Sequence, residues 1–439
     1  MKKNEEYIVE CIDDTRLGSG VVKIDNQVVF IPDLLIGEKA RIRIVKVDKN
    51  YCFGKIMELI EPSIHRIHPE CKYSRLCGGC QYQHIDYAYQ CERKTRQLKD
   101  LFSRALKRDI DVLPILSVHD GLSYRNKAQF PVQIINGKVY MGFYRKHSND
   151  IVPCDRCLIQ SDEINEIYAY IQKVMTLKQA KGLRHIFIRV SAYTKEAQVV
   201  FIGTYNPSLI DLTKKLVSAF KNITSVVFNE NTRKDNVILG EKYKILYGNA
   251  YIMEMCMGNK IQLHFKSFFQ VNPEGMEKLY NAAIKQAELD GNQICMDMYS
   301  GVGTIGLSIS KVSKEVIGVE IVKEAVDNAN RNALLNGIEN CTFIHQDATD
   351  FVKEMKKKHK KVDVIFVDPP RKGMTEQGIE DLSYLQAKTI VYISCNPDTL
   401  ARDLVLLEKK GYRTKQIQPV DMFAQTTQVE NIALLEKIK

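Results

Sequence analysis

Five short apolar runs mark the C-terminal third of the chain, at residues 294–299, 316–320, 341–345, 362–367 and 391–393. They are mostly apolar rather than strictly alternating, the pattern of strands buried on both faces. Stretches of helical period lie between them. Strand and helix therefore alternate, and the expected architecture is α/β, a parallel sheet with helices on both faces. A further run at 428–435 ends the chain as a last strand and carries Glu430.

The first 61 residues are patterned differently. Residues 40–47 read Ala-Arg-Ile-Arg-Ile-Val-Lys-Val, apolar and basic in alternation, the mark of a half-buried strand. Weak alternation at 7–12, a turn at 18–20 and an apolar run at 28–31 ended by Pro32 complete a small barrel of OB-like type. Glu61-Pro62-Ser63 reads as its boundary. The stretch from 62 to 255 is α+β in pattern. Leu98, Leu101, Phe102, Ala105 and Leu106 recur at helical spacing within 91–106, residues 186–190 and 197–202 read as paired strands, and 208–220 reads as a helix. Another helix, 274 to 287, follows Phe268-Phe-Gln-Val-Asn-Pro273. The expected division is 1–61, 62–255 and 256–439.

Charge narrows the choice of partner. The net charge of +10 favours a polyanion, most simply nucleic acid. Arg41 and Arg43 point outward from the barrel strand, with Lys46 nearby. Arg93, Lys94, Arg96, Lys99 and Arg104 share the polar face of the helix at 91–106; a solvated face is the default reading, and phosphate contact is the alternative. Residues 123–127 (Ser-Tyr-Arg-Asn-Lys) and 144–146 (Tyr-Arg-Lys) mix aromatic and basic side chains in the manner of surfaces that stack on unpaired bases. No secretory h-region is visible and no apolar run approaches the roughly 20 residues a membrane helix needs, so a cytoplasmic protein is expected.

Three clusters carry candidate chemistry. Cys71-x5-Cys77-Gly-Gly-Cys80 brings three thiols within ten residues, in a chain whose 12 cysteines are unlikely to form disulfides. A fourth ligand would come from Cys91, Cys154 or Cys157. Zinc is open on this spacing, and the uneven x5, x2 intervals also suit an iron–sulfur cluster. Second, Gly301-Val-Gly-Thr-Ile-Gly306 follows a strand and opens a helix. Glu320 ends the next strand about 20 residues on, where a carboxylate can hold ribose hydroxyls. These marks fit NAD and S-adenosylmethionine equally. Third, Val391-Tyr-Ile-Ser-Cys-Asn-Pro397 places Cys395 where a strand gives way to a loop. A thiol at that edge of an α/β sheet is a candidate nucleophile, or else one more buried cysteine. Gln270, Tyr299, Glu320, Asp368 and Cys395 are all expected at or near this edge. Asn272 reads most simply as the cap of the helix after it.

Taken together, Cys71 to Cys80, Phe268 to Asn272, Asp368-Pro-Pro-Arg371 and Ser394-Cys-Asn-Pro397 resemble the bacterial RNA uracil-5 methyltransferases, and among them the branch acting on 23S ribosomal RNA. The resemblance spans nearly the whole chain. It implies a TRAM barrel, a central domain with a 4Fe-4S cluster on Cys71, Cys77, Cys80 and Cys157, and a class I methyltransferase domain using S-adenosylmethionine. It further implies Cys395 as nucleophile and Glu430 as base, with cofactor contacts from Gln270, Tyr299, Glu320 and Asp368. RNA is the implied partner, ribosomal RNA first, and the protein is expected to act as a monomer. The cluster, lying in another domain from Cys395, is expected to be structural. Two positions depart from the family pattern: Gln428 stands where His is usual, and Leu158 where Pro is usual. The rival readings are an amino-group RNA or DNA methyltransferase, for which Asp-Pro-Pro is also typical, an NAD-dependent iron–sulfur oxidoreductase, and a noncatalytic RNA-binding protein.

Overall fold

The structure, a computed structural model, describes residues 1–118, 120–357 and 361–438. Six strands between Glu6 and Glu61 form the first sheet. Alternation in Lys39–Val47 works as its pattern requires: Ala40, Ile42 and Ile44 are fully buried with Val29, Ile31 and Cys52. The outward residues do not form a free basic stripe. Arg43 lies opposite Glu6 and Arg41 opposite Glu58 in the strand register, and both arginines form ion pairs, at 2.6 and 2.9 Å. Lys46 pairs with Asp48. The charges on this face are of mixed sign, as on an ordinary solvated sheet.

A second, seven-stranded sheet runs from Lys127–Ile135 to Tyr243–Gly248, with the helices Asp162–Val174 and Leu209–Ala219 packed on it. The cysteine-bearing stretch before it is mostly turns. It is pinned by two isolated bridges, Arg66 to Ile85 and Cys77 to Arg145.

The third sheet holds all the C-terminal runs: β1 (Ile294–Met298), β2 (Glu315–Glu320), β3 (Cys341–His345), β4 (Val364–Val367), β5 (Thr389–Ser394), β6 (Tyr412–Val420) and β7 (Glu430–Lys437). Their order is β3-β2-β1-β4-β5-β7-β6. The first five are parallel, and helices cover both faces through two separate apolar cores. The α/β expectation holds, with one correction: β7 is antiparallel to both β5 and β6, so the sheet is mixed. Order changes direction at β1 and β4, and ligands bind outside the carboxyl ends of such a switch.

The helix Tyr87–Leu106 joins the parts. The division at residues 62 and 255 puts it in the central stretch, yet Leu98 and Phe102 share a core with Met298, Ile390 and Tyr392, and Asp111–Val112 adds a short strand beside β6. Its polar face is not simply solvated. Arg93 is fully buried on Asp14 of the barrel, at 2.6 Å, and Lys94 is buried on Asp421, also at 2.6 Å. A charge so enclosed needs a partner. These two cations are thus structural ties between barrel, helix and third sheet. Among the described residues no helix is long and apolar enough to cross a membrane.

Candidate active site at the sheet edge

At the end of β1 the chain turns sharply. Tyr299, Gly301 and Gly303 are all left-handed, at φ +66°, +53° and +85°. For a tyrosine that conformation is strained and is characteristic of functional turns. The backbone amides of Tyr299 and Ser300 hold it by donating to Val319 O. A Cβ on Gly303 would lie 2.6 Å from Phe343 Cζ, and one on Gly318 would overlap the same ring. The ring thus fills the space these glycines leave, and the helix Thr304–Ile309 seats closely on the sheet.

Polar groups converge on this turn. Glu320 Oε2 accepts from Gly301 N at 3.0 Å and its Oε1 accepts from Val322 N at 2.9 Å, which fixes the carboxylate at the end of β2. Asp297 Oδ2 accepts from Gly306 N at 2.8 Å. Asp297 Oδ1 and Ser300 Oγ are buried with no partner among the described residues. Orphaned polar atoms, a turn with two left-handed glycines and a fixed acid suit a polar nucleoside cofactor. Asp368 follows β4, its carboxyl pushed up to about 7 by burial. Gln270 is buried in the chain segment after Phe269, which shares an apolar core with Val302 and Ile393. Asn272 is a cap and brace: its Oδ1 accepts from Gly275 N at 3.0 Å and its Nδ2 donates to Met422 O at 3.0 Å.

Cys395 and Glu430 meet across the β5–β7 pair. Its last register pair is Ser394 with Asn431, so Cys395 and Glu430 are the next residues on the two chains. Cys395 is half-buried. Burial pushes its thiol up to about 11; the Glu430 and Asp368 carboxyls add to this and the Arg371 guanidinium opposes it. Glu430 is only 3% exposed, and burial, reinforced by Asp368, pushes its carboxyl up to about 8. Arg371 donates from Nη2 to Gln428 Oε1 at 2.9 Å, while Lys94 Nζ donates to Gln428 O at 3.0 Å. Gln428 is therefore held from both sides.

Two clefts open on Cys395, with Glu430 buried behind it. One, of about 330 Å³, runs from Cys395 towards Arg16 and Leu17 of the barrel. The other, of about 410 Å³, runs towards Gly79, Gln81 and Arg125. Cys395, Arg371 and Gln428 line both. Arg16 forms an ion pair with Asp398, three residues past Cys395, so the barrel is fastened at the lip of the site.

Cys71, Cys77, Cys80 and Cys157 line one cavity of about 310 Å³. Cys154 instead lies buried against the Tyr168 hydroxyl, and Cys91 stands on the helix near Asp421. Burial pushes the Cys80 and Cys157 thiols up to about 11 and 12. Bare thiolates are disfavoured here, so a cation that binds sulfur would be needed to hold them. Among the described residues no group of three or more His, Cys, Asp or Glu is gathered as on a single metal ion; the four thiols stand around a space. Sequence reasoning missed the neighbours of this cavity. Arg125 and Gly79 line both it and the Cys395 cleft. The aromatic–basic run at 123–127 was the available signal.

The raised Glu430 carboxyl has a stability consequence. It is protonated in both folded and unfolded chains below about pH 4.5, so nothing is lost there. As pH rises towards 8 the unfolded chain ionises while the folded one keeps its proton, and stability falls. Glu430→Gln removes that cost. Without added cofactor, the variant should gain on the wild type between pH 5 and pH 8, by about 1–3 kcal/mol, in parallel urea titrations. An equal difference at both pH values would contradict it.

Residues 86–438 match the tRNA (Uracil-5-)-methyltransferase family, and residues 3–57 match the TRAM domain. The chain belongs to this uracil-5 methyltransferase family. An uncharacterized RNA methyltransferase of Oceanobacillus iheyensis is 40% identical over 448 residues, covering 99% of this chain and 97% of the relative. One from Clostridium acetobutylicum is 39% identical over 452 residues, covering 100% and 98%. Among solved structures, the Pyrococcus abyssi tRNA (uracil-54, C5)-methyltransferase in complex with S-adenosyl-L-homocysteine superposes with a TM-score of 0.74 at 26% identity, over 97% of this chain and 99% of that one. The protein is thus an RNA methyltransferase of the uracil-5 family, with an N-terminal TRAM domain and a methyltransferase fold using S-adenosylmethionine.

Proposed function

We propose that this protein methylates C5 of a uridine in RNA through a covalent adduct on Cys395, with 23S ribosomal RNA as substrate. The observation that carries this reading is Cys395 at the mouth of two clefts, with the buried Glu430 beside it across the strand pair and Asp368 close to both. Uracil C5 is a weak nucleophile. Cys395 Sγ loses its proton and adds to C6, which makes C5 enolate-like. S-adenosylmethionine, when bound, supplies a sulfonium methyl group. C5 takes that methyl as the sulfonium's S–CH3 bond breaks and a neutral thioether leaves, Glu430 removes the C5 proton, and the C6–S bond breaks to free the thiolate. The uridine must leave its stack to present its face to Cys395. Tyr299, Glu320, Asp368 and Gln270 would hold the cofactor. The orphaned Asp297 Oδ1 and Ser300 Oγ suit its polar groups.

For the four thiols we favour a 4Fe-4S cluster on Cys71, Cys77, Cys80 and Cys157; their arrangement around a cavity suits a cluster better than one ion. We assign 1–61 to RNA binding, 62–255 to the cysteine site and 256–439 to catalysis, in a cytoplasmic monomer. Transfer RNA is the second reading, favoured by the solved Pyrococcus neighbour, whose substrate is tRNA.

The test is incubation of anaerobically prepared protein with labelled S-adenosylmethionine and RNA from cells lacking the enzyme. Label should enter 23S ribosomal RNA as 5-methyluridine, and the protein should hold iron and sulfide in near-equal amounts. Label in transfer RNA alone would favour the second reading. Label in an amine, or in a DNA oligonucleotide equally well, would overturn the first.

A further inference from the structure

The run Ser123-Tyr-Arg-Asn-Lys127 lies between three parts of the site. Arg125 bridges in parallel to Gln160, its amide donating to Ile159 O at 2.9 Å and its carbonyl accepting from Ser161 N at 3.0 Å, just past Cys157. Tyr124 Oη donates to Ala424 O at 2.9 Å, in the loop that leads to Glu430. Asn126 N donates to Val271 O at 2.8 Å, one residue after Gln270. One short segment thus contacts the fourth thiol's chain, the approach to Glu430 and the approach to the cofactor residues.

The side chain of Arg125 faces two cavities. It lines the thiol cavity with Cys80 and Cys157, and it lines the cleft with Cys395 and Arg371. Its buried Nε has no hydrogen-bond partner among the described residues. Lys127 lines the thiol cavity beside it, and the charges that reach Lys127 are the cations Arg189 and Arg125. A partly buried guanidinium whose Nε has no partner is stabilised by an anion that shares its space. Four thiolates around an iron–sulfur core carry more negative charge than the core carries positive, so the group proposed for this cavity is such an anion.

We propose that Arg125 is a substrate-positioning residue shared by the two cavities: the anionic group held by the four thiols orients its guanidinium, which then binds a phosphate of the RNA entering the Cys395 cleft. It rests on the reading of the thiols given above. The cysteine site is then not remote from catalysis, because its charge fixes a wall of the substrate cleft. The Arg guanidinium suits this double duty, having a planar fork that can meet two acceptors at once.

The test uses full-length protein prepared anaerobically, with Arg125→Met and Arg125→Lys compared with wild type. Arg125→Met should bind substrate RNA about tenfold more weakly, with a salt dependence reduced by roughly one phosphate contact. KM should rise more than kcat falls. The same variant should keep its iron and visible absorption but show a more negative midpoint potential, since a cation beside the cluster favours the reduced state. Arg125→Lys should restore most of both. Unchanged RNA affinity and salt dependence would overturn the proposal, and so would weakened RNA binding with an unmoved potential, because Arg125 would then face only one cavity. Wild-type protein free of iron and sulfide would instead refute the cluster reading. The RNA arm would still decide whether Arg125 faces substrate, but its link to the thiols would be overturned.

Discussion

Cys395→Ala is expected to abolish both 5-methyluridine formation and any denaturant-resistant complex with RNA. The loss should exceed about 10⁴-fold, or about 5 kcal/mol of barrier, because no other group in the cleft can raise electron density at C5. Folding should survive. Asn396 caps the next helix by accepting from Asp398 N at 3.1 Å, and Ser394 keeps its place in β5, so neither depends on the thiol. S-adenosylmethionine binding, measured by calorimetry, should therefore be unchanged. The thiol, pushed up to about 11 in the substrate-free site, is not a standing thiolate. Wild-type protein without RNA should accordingly react slowly with iodoacetamide at Cys395. If Cys395→Ala methylates at a measurable fraction of the wild-type rate, the chemistry does not pass through C6, and transfer to an exocyclic amine becomes the reading to pursue.

The parts of this arrangement differed in how well they could be read. The inner parallel strands were plain because they are buried on both faces, as Val391, Tyr392 and Ile393 are, while the edge strand β3 buries only Cys341 and Phe343 and was legible from its apolar run. Strand β6 was not, because Thr414 and Gln418 are buried polar residues, and Gln418 is satisfied by donating to Pro114 O, some 300 residues earlier. The direction of β7 was also hidden, since apolar periodicity is the same for parallel and antiparallel strands. Arg93 and Lys94 looked like part of a solvated face because their partners, Asp14 and Asp421, lie in other segments. Cys395 could be named from its local motif and Glu430 from the family resemblance, while their adjacency is a property of the β5–β7 register. The distance of the cysteine motif from Cys395 along the chain suggested separation in space. Gly79 and Arg125 bring the two cavities together through contacts that no local pattern encodes.

Glu430→Gln should separate the two halves of the reaction. The amide matches the carboxyl in size and remains buried, so addition by Cys395 and methyl transfer to C5 should both proceed. Removal of the C5 proton should not, because a neutral amide is a negligible base. The C6–S bond then cannot break, and a methylated RNA–protein adduct should accumulate and survive denaturing gels. Steady-state turnover should fall by roughly 10²–10⁴-fold, about 3–5 kcal/mol, the range of a positioned general base. The wild-type carboxyl, raised to about 8, is a stronger base than an exposed glutamate, and because most of it is protonated at neutral pH the step should speed up as pH rises towards 8. Gln428 bears on the outcome. It stands two residues before Glu430, and its side chain is held by Arg371 rather than directed at the carboxyl. Glu430 is therefore oriented by burial and by its strand position in β7, where it pairs with Val420. If Glu430→Gln turns over at the wild-type rate with no trapped adduct, another group takes the proton. Asp368 is then the carboxyl to replace, since it lies close enough to shift both Cys395 and Glu430.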